Sequence, residues 1–498
     1  MRVLLVQPAA DLDAQRNPYR HEVALLGAVL RARGHDASLL ILESLDEAAL
    51  DAALTGAAPG AVALYVESLS ADLARRIADS LARITDAPLL LFGPHPARCP
   101  NDCLSMSGVQ AVAIGPADLA IPDYLDSPHA GLEHLKTPGL WIKCETGIMR
   151  NAPVRPPESL SDPGAPGVAS AKPGFALAEP GPPARDLYLS DLDLDSGGYA
   201  EVCVARGGET RQAAAPVPLP PPQPAAAWPC SERNSLLQGW PVIHRPLRAI
   251  LQEMFNLAEE HLDMAGFRIT NRRWASAPEW LAKFAGAYAR NVALPFRTVL
   301  APRDVTDAVA PLLARAGCEE VLIEIGSGST LIRNDILGIE ASAGDLVDAF
   351  GALRRAGVRS AARVEIGAPY ETPASLDETL LMLNRLKPDR VEAVLHFPAP
   401  GTRSEEAARE NGWLVGDPAA AYRAGRPALA LPALSEDDLI TAREAVPYAV
   451  HRPRIAALIR LTRRAKIGKG RTLFELVVKP FLGPPARPRA RRGSGGTS

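Results

Sequence analysis

Long apolar runs are missing from this sequence. Charged residues or prolines interrupt every stretch that approaches the length of a membrane helix, and the apolar run at residues 3–6 is too short for the core of a secretory leader. A cytoplasmic chain without a membrane span is expected. Cysteine is scarce. Cys99, Cys103, Cys144, Cys203, Cys230 and Cys318 in 498 residues are too few and too irregular for a disulfide framework, and suit a reducing compartment. An excess of one charge is also lacking: 54 basic and 57 acidic residues leave a net charge of -3, which argues against a nucleic-acid-coating surface or a disordered polyelectrolyte.

What is abundant is proline, with 47 residues, and glycine, with 39, and their clusters cut the chain. Clusters at residues 153–183 and 213–229 read as connectors, the second as an extended polyproline-type loop, and residues 483–498 read as a basic tail. The implied organisation is a first α/β unit at 1–130, a linker at 131–195, a second α/β unit at 196–415, a helical region at 416–482 and the tail. A chain this long needs more than one core.

In the first unit, apolar runs at 3–6, 37–41, 61–66, 89–92 and 109–114 alternate with amphipathic stretches at 21–33, 45–54 and 72–84. That order predicts a parallel sheet flanked by helices, with ligands beyond the carboxyl ends of the strands. The loops there are Gln7-Pro8, Glu67-Ser68-Leu69-Ser70, Gly93-Pro94-His95-Pro96 and Gly115-Pro116-Ala117-Asp118. Glycine permits close backbone approach and serine offers short donors, although each loop taken singly is equally an ordinary strand-to-helix turn. His21, opening a helix, reads as a polar flank. Cys99 and Cys103 form a Cys-x-x-x-Cys pair without two further thiol or imidazole ligands of familiar zinc spacing, so no metal site is expected.

The order of the turns Phe92-Gly93-Pro94-His95-Pro96 and Ile114-Gly115-Pro116-Ala117-Asp118 resembles the Rossmann-like, flavodoxin-like cobalamin-binding domain of the cobalamin-binding radical SAM family. The resemblance implies cobalamin contacts from Ser68, Ser70, Gly93, Pro94, His95 and Gly115. No Asp-x-His-x-x-Gly segment follows the first strand, so a lower histidine ligand to cobalt is not expected.

The second unit alternates strands at 200–205, 266–269, 296–300, 320–325, 360–366 and 390–397 with helices at 247–258, 278–288, 305–316, 343–356 and 375–386. Six such repeats predict a partial (β/α)6, TIM-like barrel. The segments Ile325-Gly326-Ser327-Gly328-Ser329, Ile366-Gly367-Ala368-Pro369-Tyr370-Glu371-Thr372 and Pro398-Ala399-Pro400-Gly401-Thr402 resemble the radical SAM barrel of the same family. They imply a SAM-like pocket at Ser327, Gly328, Gly367, Pro369 and Glu371.

The departure lies in the loop after the first barrel strand. Where the family carries three cysteines, this chain reads Arg206-Gly207-Gly208 through Gln212 to Ala215, and Gly208, Gln212 and Ala215 offer no thiolate to a [4Fe–4S] cluster. Gly326 also replaces the glutamate of the ribose-side turn. Arg206, Glu209 and Arg211 read as a solvated charged loop. The resemblance with these departures implies a corrinoid-binding, non-radical homologue or accessory protein, with cobalamin bound, SAM binding weakened and the cluster absent. Alternatives are a cobalamin-dependent methyltransferase using polar methyl transfer from SAM, and a structural subunit; partners are a small-molecule cofactor or substrate and a further protein, not nucleic acid. Toward the C-terminus, Ser435 followed by Asp438 predicts a capped helix over 435–446, and residues 451–466 a second helix docked on the barrel.

Overall fold

The computed structural model describes residues 1–9, 18–128, 132–154, 183–188, 194–195, 197–207 and 242–450. The expectations for Gly208, Glu209, Arg211, Gln212, Ala215, Cys230, the proline-rich loop, the helix at 451–466 and the tail fall outside these residues.

In the first unit, β1 (Arg2–Pro8), β2 (Asp36–Leu42), β3 (Ala61–Tyr65), β4 (Leu89–Phe92) and β5 (Val109–Ala113) are parallel, in the spatial order β2-β1-β3-β4-β5. This is the doubly wound, flavodoxin-like order. Its strands read as unbroken apolar runs because both faces are covered. Val3, Leu5, Ala63, Leu90 and Phe92 pack toward α1 (His21–Ala32), whereas Leu4, Val6, Leu64 and Leu91 pack toward α2 (Glu47–Ala57) and α3 (Ala71–Ile84). Asp46 caps α2, accepting from the Ala49 amide at 3.0 Å, which moves the helix start past residue 45. Two short helices, α4 (Pro94–Arg98) and α5 (Pro100–Leu104), follow β4, and α6 (Ala117–Asp126) follows β5. The sheet also reaches into the stretch read as linker. The hairpin β6 (Leu140–Cys144) and β7 (Gly147–Arg150) adds antiparallel to β5, because Leu140 and Ile142 complete one apolar face and Trp141 the other.

The second unit is a six-stranded all-parallel sheet. Its strands are β8 (Tyr199–Val202), β11 (Gly266–Ile269), β12 (Phe296–Leu300), β13 (Cys318–Gly326), β14 (Arg359–Ile366) and β15 (Arg390–Leu395). The strand expected over 200–205 divides, and its end, β9 (Ala205–Arg206), pairs antiparallel with β10 (Ile243–His244). The helices are α7 (Leu247–Glu260), α8 (Pro278–Asn291), α9 (Ala310–Arg315), α10 (Ala343–Ala356), α11 (Pro373–Leu386), α12 (Arg403–Glu410), α13 (Pro418–Arg423) and α14 (Glu436–Ala449). The helix expected over 305–316 shortens to α9, since Pro311 is tolerated only in a first turn. The Ser435–Asp438 capping box opens α14, and Leu439, Ala442 and Val446 seat that helix on the barrel core. Among the described residues no helix is long and apolar enough to cross a membrane.

Strand alternation splits the barrel into an apolar outer face and a charged inner one. Val321, Ile323, Ile325, Val364 and Ile366 join the helix-side core, so Glu320, Glu324, Arg363 and Glu365 project the other way. There, Arg390 meets Glu320 at 2.6 Å, Arg363 meets Glu392 at 2.6 Å, and Arg272 meets Glu324 at 3.1 Å. Burial opposes ionisation of Glu392, but Arg363 and Arg390 outweigh it and hold its carboxyl down to about 2. A carboxyl depressed in the folded state stabilises the protein above its unfolded value, and this stabilisation is lost as pH falls through the folded one. Chemical denaturation between pH 5 and about pH 2 should therefore show a loss of about 2 kcal/mol that Glu392→Gln removes, as the difference between the two pH profiles.

Candidate functional site

The two sheets present their carboxyl ends to each other. Arg206, at the end of β9, donates to both carboxylate oxygens of Asp118, after β5, at 2.8 and 2.9 Å. Both side chains are largely buried, which corrects the solvated reading of Arg206. Leu69, after β3, packs with Phe397 and Ala399, after β15, and with Ala428, and Arg423 donates to the Leu69 carbonyl at 2.5 Å. The returning connector braces the same junction. Arg185 lies 4.1 Å over the Tyr19 ring and pairs with Glu253 of α7 at 2.8 Å, while the Tyr188 hydroxyl donates to Gln7 at 2.7 Å. Ligands of parallel α/β sheets bind beyond such strand ends, so this junction is the candidate site.

On the first unit's side, the proposed contact residues separate into two kinds. A side chain at Gly93 would meet the Val66 carbonyl at 2.8 Å and the Tyr65 ring at 2.9 Å, so that glycine serves packing, and Pro94 starts the short helix behind it. Ser68 Oγ engages His95 Nδ1 at 3.1 Å and receives Arg98 at 2.8 Å; Ser70 donates to the Glu67 carbonyl at 3.2 Å. Both hydroxyls are thus used within the protein. His21 is buried rather than flanking, beside the Tyr19 hydroxyl at 3.4 Å. Gly115 differs: it is buried, yet no described atom lies within 4 Å of where a side chain would begin. Among the described residues, space is therefore left at the end of β5, three residues before Asp118.

On the barrel side, the Gly326-Ser327-Gly328 turn is closed by its own surroundings. Gly326 has φ +66, and a side chain there would stand 2.6 Å from Ile339 and 2.7 Å from Leu337. A glutamate here would strain the left-handed backbone and push the tips of both side chains aside. Ser327 and Gly328 pack onto α11, with the Gly328 amide donating to Thr379 at 2.9 Å and its Cα facing the Glu378–Thr379 backbone. Arg333, fully buried, donates to the Ser327 and Gly328 carbonyls at 3.0 and 3.1 Å and locks the turn; the sequence reading passed over it. Glu371, buried, accepts from the Gly367 amide at 2.5 Å, and Pro369 is buried between them.

A second group that the sequence reading missed lies beside Gly367. Glu365 Oε2 meets His396 Nδ1 at 2.6 Å, and His396 Nε2 meets Ser404 Oγ at 2.8 Å. These residues, at the ends of β14 and β15 and on α12, are 1%, 1% and 0% exposed. Glu365 Oε1 has no hydrogen-bond partner among the described residues. A buried carboxylate oxygen left so costs about 1–3 kcal/mol or more, and marks a place for a ligand donor. Its signal was the alternation that puts Glu365 and His396 on the inner face, two or more residues apart on neighbouring strands.

Among the described residues, which leave out Cys230, the thiols do not converge. Among the described residues, the group of three or more metal-type ligands that forms contains one cysteine. Cys203 donates to the Ala205 carbonyl, and burial pushes its thiol up to about 11. Cys318 sits at the amino end of β13, away from the site.

No protein-family model matches the chain, and no curated protein matches it in sequence. Solved structures do match its fold. OxsB, a cobalamin-dependent S-adenosylmethionine radical enzyme solved with aqua-cobalamin and S-adenosylmethionine, superposes with a TM-score of 0.64 over 94% of this chain and 69% of its own, at 11% identity. TsrM from Kitasatospora setae, a radical S-adenosylmethionine methyltransferase solved with cobalamin and a [4Fe-4S] cluster, gives 0.59 over 82% of this chain and 75% of its own, at 17% identity. The chain has the two-domain fold of the cobalamin-dependent SAM radical enzymes.

Two substitutions test this geometry. Asp118→Ala leaves the Arg206 charge buried without its partner and should cost about 3–5 kcal/mol in urea unfolding. Gly326→Glu should destabilise by at least about 2 kcal/mol, because a left-handed backbone and two leucine-sized neighbours oppose it.

Proposed function

We propose that this chain binds a corrinoid between the facing strand ends and acts without the cluster that radical cleavage of SAM requires, as a corrinoid-binding, non-radical homologue or accessory protein. The space beside Gly115 carries the reading: no described residue fills the front of this buried glycine, at the strand-end surface where this fold takes its ligands. Gly115 and the Pro94–His95 turn would border the bound group, which supplies a cobalt centre able to carry a methyl group. The loss of the cluster rests on Gly208, Gln212 and Ala215, none of which supplies sulfur, and on the scatter of the described thiols. Weakened SAM binding rests on Gly326, which stands where the resemblance implies a ribose-side glutamate.

A second reading, polar methyl transfer from SAM through the corrinoid to a substrate, is favoured by the turn after β14. Glu371 still closes on Gly367, and Glu365 Oε1, two residues before Gly367 in the chain, offers a buried acceptor. Glu365 would accept a donor group of the bound molecule, with His396 and Ser404 holding the carboxylate in place. Methyl transfer from labelled SAM in the presence of cobalamin and a low-potential reductant would favour this reading over a binding role.

Anaerobic reconstitution with cobalamin, iron and sulfide should yield near-stoichiometric corrinoid absorbance after desalting, with iron at background. Corrinoid that washes away would sink the binding claim, and a full [4Fe–4S] signal the claim of cluster loss. Gly115→Val, which fills the gap without a backbone penalty, should lower corrinoid retention about tenfold with an unchanged melting temperature. By calorimetry, Glu365→Gln should weaken S-adenosylhomocysteine binding by about tenfold, the ~1.4 kcal/mol of one hydrogen bond to a charged acceptor.

A further inference from the structure

His95, Asp102 and Cys103 each bring a ligand atom to within 4.8 Å of the others, and no other such group of three forms among the described residues. The chain builds the group locally. Pro94 and Pro100 open α4 and α5, and the Cys99 corner between them folds the helix bearing Asp102 and Cys103 back onto His95. Cys99 does not join: its sulfur lies 3.6 Å from where a side chain at Gly401 of the barrel would begin. The Cys-x-x-x-Cys spacing noted in the sequence is therefore not the ligand pair.

The His95–Asp102 separation is that of two ligands sharing an ion. His95 Nε2 and Asp102 Oδ2 stand 3.5 Å apart. A charge-assisted hydrogen bond closes to about 2.7–2.9 Å, whereas two N/O donors on one tetrahedral zinc, with bonds of about 2.0–2.2 Å, stand about 3.3–3.6 Å apart. The outer contacts are those a ligand set needs. Ser68 Oγ holds His95 Nδ1 at 3.1 Å and is itself held by Arg98, which leaves Nε2 facing the group. Arg75 orients the Asp102 carboxylate at 2.8 Å. The neighbouring His95 imidazole, aided by Arg75 and opposed by burial, keeps that carboxyl below its ordinary range. Asp102 is 47% exposed, so an ion has a way in.

We propose that His95, Asp102 and Cys103 form a three-ligand site for one divalent ion of the zinc type, with its fourth position open to water. The imidazole, carboxylate and thiolate set suits zinc and disfavours magnesium and calcium, which take oxygen. The thiolate and the carboxylate together balance the charge of the ion. Burial pushes the Cys103 thiol well above its ordinary value, so the thiol is protonated until the ion binds. Binding then forms a metal–sulfur bond, breaks the S–H bond and releases that proton to solvent. The site does not depend on the corrinoid reading.

The test uses the tag-free full chain, stripped with chelator and titrated with Co2+ in the absence of cobalamin, SAM, iron and sulfide. One Co2+ per chain is expected, with a thiolate-to-cobalt charge-transfer band that Zn2+ displaces and that grows tighter-binding as pH rises. Cys103→Ser should abolish the band, His95→Gln and Asp102→Asn should weaken binding at least about tenfold, Ser68→Ala should weaken it about tenfold through the imidazole's orientation, and Cys99→Ser should leave it unchanged. Absence of uptake by folded wild-type protein at micromolar Co2+, or a band that survives Cys103→Ser, overturns the proposal. Should Cys103→Ser fail to fold by circular dichroism, unchanged affinity in both His95→Gln and Asp102→Asn overturns it equally.

Discussion

The arrangement of this protein depends on charge pairs that have been taken out of water at the meeting of two sheets. Arg206–Asp118 joins strand end to strand end, and Arg185–Glu253 ties the returning connector to the barrel while the same guanidinium lies on Tyr19 of the first unit. Such pairs add little net stability over apolar contacts of equal size, but separating them is expensive, because each charge would stay buried alone. They therefore select one orientation of the two units. With it comes the juxtaposition of two surfaces that in parallel α/β architecture are the ones used for binding.

Within that junction, glycines that look alike along the chain do different work. Gly93 and Gly328 are required by backbone or ring atoms that approach to within 3 Å of where a side chain would stand. Gly326 is fixed by a left-handed backbone pressed against Leu337 and Ile339, which makes this turn a packed one. Gly115 alone of these has nothing in front of it among the described residues. A turn motif carries no mark that separates these cases, since each depends on atoms contributed by remote segments.

Polar groups show the same division. Ser68 and Ser70 were legible as donors, yet the fold spends both inward, Ser68 to orient His95 and Ser70 to close its own turn. Glu365, His396 and Ser404 carried no motif, although alternation in β14 and β15 already separated the inner residues from the apolar ones. His95, Asp102 and Cys103 were within eight residues of each other in plain view. What hid them was the cysteine spacing, which drew attention to Cys99 instead.

Local patterning alone determined most of the strand and helix sequence, the parallel α/β class of both units and the cap at Ser435. These follow from periodicity and turn chemistry, which act over a few residues. The β6–β7 hairpin escaped that reading, since its place depends on the open edge of β5. Tertiary structure decided which turns stay open, which charges are buried and which donors meet. Those outcomes rest on contacts between residues far apart in the chain, such as Arg206 with Asp118 and Leu69 with Phe397, whose cost or gain exists only once water has been excluded from between them.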